Sequence, residues 1–234
     1  MKPILKIDIP FEIDVSSIRK NLEAEEKSLS GDSPERLAAE AKAVGRPKFW
    51  IHPQPVSKVG ENTVRLGDHT FTSRAMAFHF SGLERVFPYL ATAGTEMADW
   101  VDSLPEPEKL YADRMAEAAL AAALSGVERE IRERFGIESI ARINPGSLVD
   151  WALEEQRILF SLLGDGGDRI GVALAENLLM FPLKSGSGIV FPDETGFVTC
   201  RLCQVSGCRL RRAPFEPGRY ERVYGTAPPS PPSF

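Results

Sequence analysis

The sequence predicts a mixed α/β domain. Three observations carry that expectation: short apolar runs that alternate with a period of two, longer runs whose apolar residues recur three and four apart, and glycine, proline and asparagine at the joins between them. With 234 residues, 43% hydrophobic and 26% charged, the chain is long enough to bury a substantial core. Residues 1–224 read as one domain and the proline-rich segment 225–234 as a disordered tail. No internal repeat is present.

In chain order, residues 3–15 read as an edge strand, with Ile4, Leu5, Ile7 and Ile9 apolar and Pro10 interrupting the run. A polar helical piece follows. Ser33 and Pro34 supply an N-cap and a first-turn proline for the helix SPERLAAEAKAV, and Pro47, Pro53 and Pro55 keep the next stretch extended. TVRLGDHTFT, residues 63–72, alternates around Gly67-Asp68 as a hairpin does. VFPYLATAG reads as a buried strand leading into a helix capped by Thr95 and running through Ser103.

From Pro107 to Phe135 a long helix is expected, because Leu120, Leu124, Val127, Ile131 and Phe135 share one face. Its alanine cluster, Ala116 to Ala123, permits close approach of another backbone. IESIARI is expected to form a strand, Asn144-Pro145-Gly146 a turn, and Asp150 the N-cap of the helix WALEEQRILFSLL, ended by Gly164, Gly166 and Gly167. The run GVALAENLLMFPLKSGSGIVF reads as two strands joined by a bend, with Ser185, Ser187 and Phe191 on one face.

Charge and motif content exclude several functions. A net charge of −5 argues against a nucleic-acid partner, whose phosphates demand a dense basic surface. Arg201, Arg209, Arg211 and Arg212 form only a local basic cluster. No stretch approaches the roughly 18 consecutive apolar residues of a membrane span. The N-terminus lacks the features of a secretory signal, so a cytoplasmic location is expected. No Ser/His/Asp set, H-E-x-x-H or paired-carboxylate motif stands out, and GDGGDRIG lacks the Lys-Ser ending of a phosphate loop.

All three cysteines fall together as C-x2-C-x4-C: Cys200, Cys203 and Cys208. That spacing suits thiolates converging on one zinc ion or iron-sulfur cluster, although neither His52, His69 nor His79 is local enough in sequence to be a fourth ligand. Free or oxidised thiols are the alternative. Glu176, in an otherwise apolar run, would need donors if it pointed inward. The plain reading of Arg142 is a surface ion pair with Glu138 or Asp150, and of Phe191 a core aromatic.

The segment Arg142-Ile143-Asn144-Pro145-Gly146, then a helix ending FSLLG, then IGVALAENLLMFPLKSGSGIVF, resembles in order and spacing the activation domain of vitamin-B12-dependent methionine synthase. The upstream ATAGTEMADWV and the downstream CRLCQVSGCRLRRAPF look like stretches of its short, free-standing members. The likeness covers residues 85 to 215; the N-terminal third is too divergent to place. It implies a twisted, largely antiparallel sheet with flanking helices. It also implies S-adenosylmethionine as methyl donor, docking on a corrinoid or cobalamin protein, and reductive remethylation of that corrinoid, which makes the chain a component of a methyltransferase system.

By the same resemblance Arg142, Asn144, Gly146, Glu176, Ser187, Gly188 and Phe191 would form the ligand site, with Arg142 taking the carboxylate through paired hydrogen bonds. The chain departs from the pattern at Ser147, where the family has a tyrosine, and at Val190-Phe191, where it has tyrosine-phenylalanine. No counterpart of the family's N-terminal acidic ligand contact is identifiable. The competing expectations are a corrinoid-protein adaptor that binds no S-adenosylmethionine, and a metal or iron-sulfur redox module.

Overall fold

A computed structural model describes residues 2–24, 33–208 and 211–227. Most of the expected tail lies outside the described residues, as does Arg209.

The fold is a mixed α/β arrangement around an open, antiparallel sheet. Its centre is β6 (Arg85–Thr92), flanked on one edge by β10 (Ser185–Pro192) and on the other by β2 (Lys48–Ile51). Outward from these lie β7 (Ile140–Ile143) beside β10 and β1 (Ile4–Lys6) beside β2. β3 (Gln54–Val59) pairs with the first residues of β6 and continues into β4 (Thr63–Leu66) and β5 (His69–Thr72). The last two form the expected hairpin, with Leu66 opposite His69 and Gly67 at a positive φ of 56°. A two-residue turn of this kind favours glycine, which has no Cβ to clash there.

The sheet separates two cores, and this explains the apolar run of β6 from Val86 to Ala91. Phe87, Tyr89 and Ala91 enter one core, Val86 and Leu90 the other. A strand covered on both faces has no solvent side on which to place polar residues. The first core is closed by α1 (Val15–Ala24), α2 (Ser33–Val44), α4 (Thr95–Ser103) and the 28-residue α5 (Glu108–Phe135). Ala112, Ala116, Ala119 and Ala123 of α5 are buried, and α2 and α4 pack against this helix. The second core is closed by α3 (Arg74–Phe80), α6 (Gln156–Leu163), α7 (Gly166–Ile170) and α8 (Arg219–Tyr224).

Several expectations are corrected. Asp150 does not cap the following helix. Its Oδ2 accepts from the Ala75 backbone N–H at 2.8 Å and from Ser73 Oγ and Tyr220 OH at 3.1 and 3.0 Å, so it caps α3 and ties α8 to it. The chain instead enters α6 through a Leu148–Trp151 bridge and a 3-10 turn, Leu153–Glu155. Gly166 and Gly167 open α7 rather than end α6. The N-cap of α4 is Gly94, not Thr95. The bend before β10 contains a two-stranded hairpin, β8 (Ala173–Leu174) with β9 (Met180–Phe181). Among the described residues no helix is long and apolar enough to cross a membrane.

Candidate functional site

The two motif stretches are adjacent strands. β7 runs antiparallel to β10 with Arg142 opposite Val190 and Ile143 opposite Ile189. Strand alternation then divides their side chains between the faces of the sheet. Arg142, Gly186, Gly188 and Val190 lie on the α5 face; Ser187, Ile189 and Phe191 lie on the other.

On the α5 face the residues form a connected cluster. The Asn144 side-chain amide donates to Tyr89 OH at 2.7 Å and to the Ser187 backbone carbonyl, stitching the turn after β7 to β10 and to central β6. Gly188 is required beneath that amide. A Cβ there would fall 2.4 Å from the Ile143 carbonyl oxygen and 2.5 Å from Asn144 Nδ2. Gly146, at a φ of 73°, closes the turn, and its N–H donates to the Trp151 carbonyl at 2.9 Å.

Arg142 Nη1 stands 3.6 Å from Glu128 Oε1 of α5, with both side chains largely covered, at 15% and 19% exposure. The same carboxylate pairs with Arg212 at 3.3 Å and with Arg132 at 3.8 Å. Three guanidinium groups therefore surround one carboxylate, leaving the cluster an excess of positive charge. Burial pushes the Tyr89 phenol above its usual pKa, against the pull of the Arg142 guanidinium and the Asn144 hydrogen bond. Such a cluster suits a zwitterionic amino-acid group: guanidinium for the carboxylate and Glu128 for the ammonium.

The expected residues divide accordingly. Arg142, Asn144, Gly188 and the Ser187 carbonyl come together, with Gly146 in the same turn. Arg142 pairs with Glu128, neither with Glu138 nor with Asp150. Phe191 is fully buried in the second core, with ring centroids 5.1 Å from Phe80 and 5.6 Å from His79, so it lies across the sheet from Arg142. Glu176 is not on a strand: it is exposed in the turn between β8 and β9, where its carbonyl accepts from Arg157. Tyr89, Glu128 and Arg212 were not anticipated, because only long-range packing brings α5, β6 and the C-terminal segment to this turn.

The cysteine loop does not fit the expected metal site. Among the described residues no three His, Cys, Asp or Glu side chains are placed to hold a metal ion, and all three thiols are free. The loop is organised through its backbone instead. Arg211 donates to the carbonyl oxygens of Cys200 and Cys203 at 2.9 and 3.3 Å and to that of Val205, while Cys200 Sγ accepts the Arg212 N–H at 3.3 Å. Cys208 faces solvent.

An antiparallel α/β sheet with a charged turn against its longest helix is thus the class that fold and site define. No family model matches the chain, and no curated protein matches it. Among solved structures it is similar to the MetH reactivation domain bound to AdoHcy, with a TM-score of 0.55 and 14% identity over 96% of this chain and 86% of that one. The two share a fold.

Proposed function

We propose that the chain is a reactivation module that binds an S-adenosyl amino acid between α5 and the β7–β10 pair and presents it to a corrinoid carried by a partner protein. The observation that carries this reading is the Arg142–Glu128 pair at 3.6 Å beside the Asn144–Tyr89 clasp, on a fold shared with a domain bound to AdoHcy. In this reading Arg142 receives the ligand carboxylate and Glu128 its ammonium, beside the turn that the Asn144 clasp over Gly188 holds in place. A one-electron donor separate from this chain would reduce the partner's corrinoid, which would then take the methyl group from the sulfonium of S-adenosylmethionine and leave AdoHcy in the site.

Calorimetry tests the proposal. S-adenosylmethionine and AdoHcy bind saturably to the wild-type chain, and Arg142→Ala and Glu128→Gln each weaken binding at least tenfold. Absence of heat at millimolar ligand overturns it. A second reading, a corrinoid-protein adaptor without an adenosyl ligand, has one observation in its favour: Arg142 already has a carboxylate partner in Glu128, and its side chain is only 15% exposed.

A further inference from the structure

Far from that cluster, α4, the first half of α5 and the segment leading into β10 line a solvent-open cavity of about 230 Å³. Its walls are Ala93, Met97, Ala98, Val101, Ala116 and Phe181, so small and apolar side chains create the space. At its rim Phe181 and Leu183 are left 49% and 66% exposed.

The charges at the mouth are mutually engaged. Lys109 Nζ lies 2.7 Å from Asp102, and Lys184 Nζ lies 2.9 Å from Asp113 and 3.3 Å from Glu117. Arg114 Nη1 also lies 3.8 Å from Asp113 and 3.4 Å from Glu117, so three cations are already paired with three carboxylates, which disfavours an anionic guest, while the apolar walls disfavour burying any charge. A dry apolar cavity of about 150 Å³ accepts benzene, so this one has room for a fused ring pair.

We propose that this cavity is a binding site for a neutral, flat, apolar molecule of about two fused rings, covered on its outer side by Phe181 and Leu183. The site is independent of the adenosyl reading. Asp113 and Glu128 are separated along α5 by roughly 22 Å at about 1.5 Å per residue, so occupancy of one place leaves the other free.

The test is a titration of the full chain with indole, followed by ¹⁵N–¹H spectra. Saturable shifts are expected at residues 93–101, at Ala116 and at residues 181–184, with indole-3-acetate at least fivefold weaker than indole. Ala98→Phe, which fills the cavity from a half-exposed position, weakens indole at least tenfold. Leu183→Asp, on the exposed rim where the fold is not at risk, weakens it several-fold. Shifts that do not saturate or that map elsewhere, tighter binding of the acetate, or unchanged affinity in both variants overturns the proposal.

Discussion

Two glycines on the same face of β10 give opposite responses to one added methyl group. In Gly188→Ala the new Cβ would sit 2.4 Å from the Ile143 carbonyl oxygen, 2.5 Å from Asn144 Nδ2 and 3.0 Å from a Tyr89 ring carbon. The carbonyl belongs to the β7 backbone that pairs with β10, so it cannot turn aside as a flexible side chain would. Relief comes from separating the strands or expelling Asn144. Overpacking that strains the strands costs about 1–3 kcal/mol, and expelling Asn144 instead costs about 1 kcal/mol for each of its two hydrogen bonds, so either route comes to roughly 2–3 kcal/mol.

At Gly186 a Cβ would meet only Leu124, at an ordinary 3.6 Å. Gly186→Ala is therefore neutral or stabilising by up to about 1 kcal/mol, through the lower entropy of the unfolded chain. Urea unfolding of both variants reads the difference. With a slope of about 3 kcal/mol/M, Gly188→Ala lowers the midpoint by roughly 1 M while Gly186→Ala leaves it in place or raises it. Equal midpoints for the two variants would refute the claim that Asn144 and Ile143 close over Gly188.

Other expected outcomes follow from the corrected contacts. Asp150→Ala removes the acceptor shared by Ser73, the Ala75 N–H and Tyr220, and destabilises the chain by about 2–3 kcal/mol in urea unfolding. Burial lowers the pKa of His79, with Asp193 opposing, and burial also lowers that of His52. A folded-state pKa below the unfolded value means the unfolded chain binds more protons, so stability is full above the unfolded value of 6.5 and declines as pH falls below it. Unfolding free energy measured from pH 7.5 to 5.5 therefore falls, and His79→Gln shallows the slope. Arg211→Ala frees the carbonyls of Cys200 and Cys203 and raises their alkylation rates while leaving that of exposed Cys208 unchanged, as peptide mapping after timed alkylation shows.

What the sequence made legible was local. The 63–72 hairpin, the helix beginning at Ser33 and the long α5 each announce themselves through periodicity and turn chemistry within a few residues. The adjacency of residues 142–146 and 185–191 followed only from the family resemblance. Asp150 was misplaced because an aspartate before a helix looks the same whether it caps that helix or one brought against it from residues 73–75. Phe191 is the core aromatic that its apolar context suggested, on the sheet face opposite Arg142, and Glu176 lies in an exposed turn rather than on a strand. Motif order says that two stretches approach, but strand parity decides which side chains share a face, and parity depends on where the β8–β9 turn ends. Glu128 and Arg212 carry no local signal, since they reach Arg142 only through the packing of α5 and the C-terminal segment.

The central claim is that the Arg142 cluster receives an adenosyl amino acid. Amide spectra of the full chain titrated with AdoHcy examine it most directly. The account predicts saturable shifts at Glu128, Arg142, Asn144 and Gly188, with the α4 and β8–β9 signals unmoved. Shifts confined to other parts of the chain, or none at saturating AdoHcy, would contradict it.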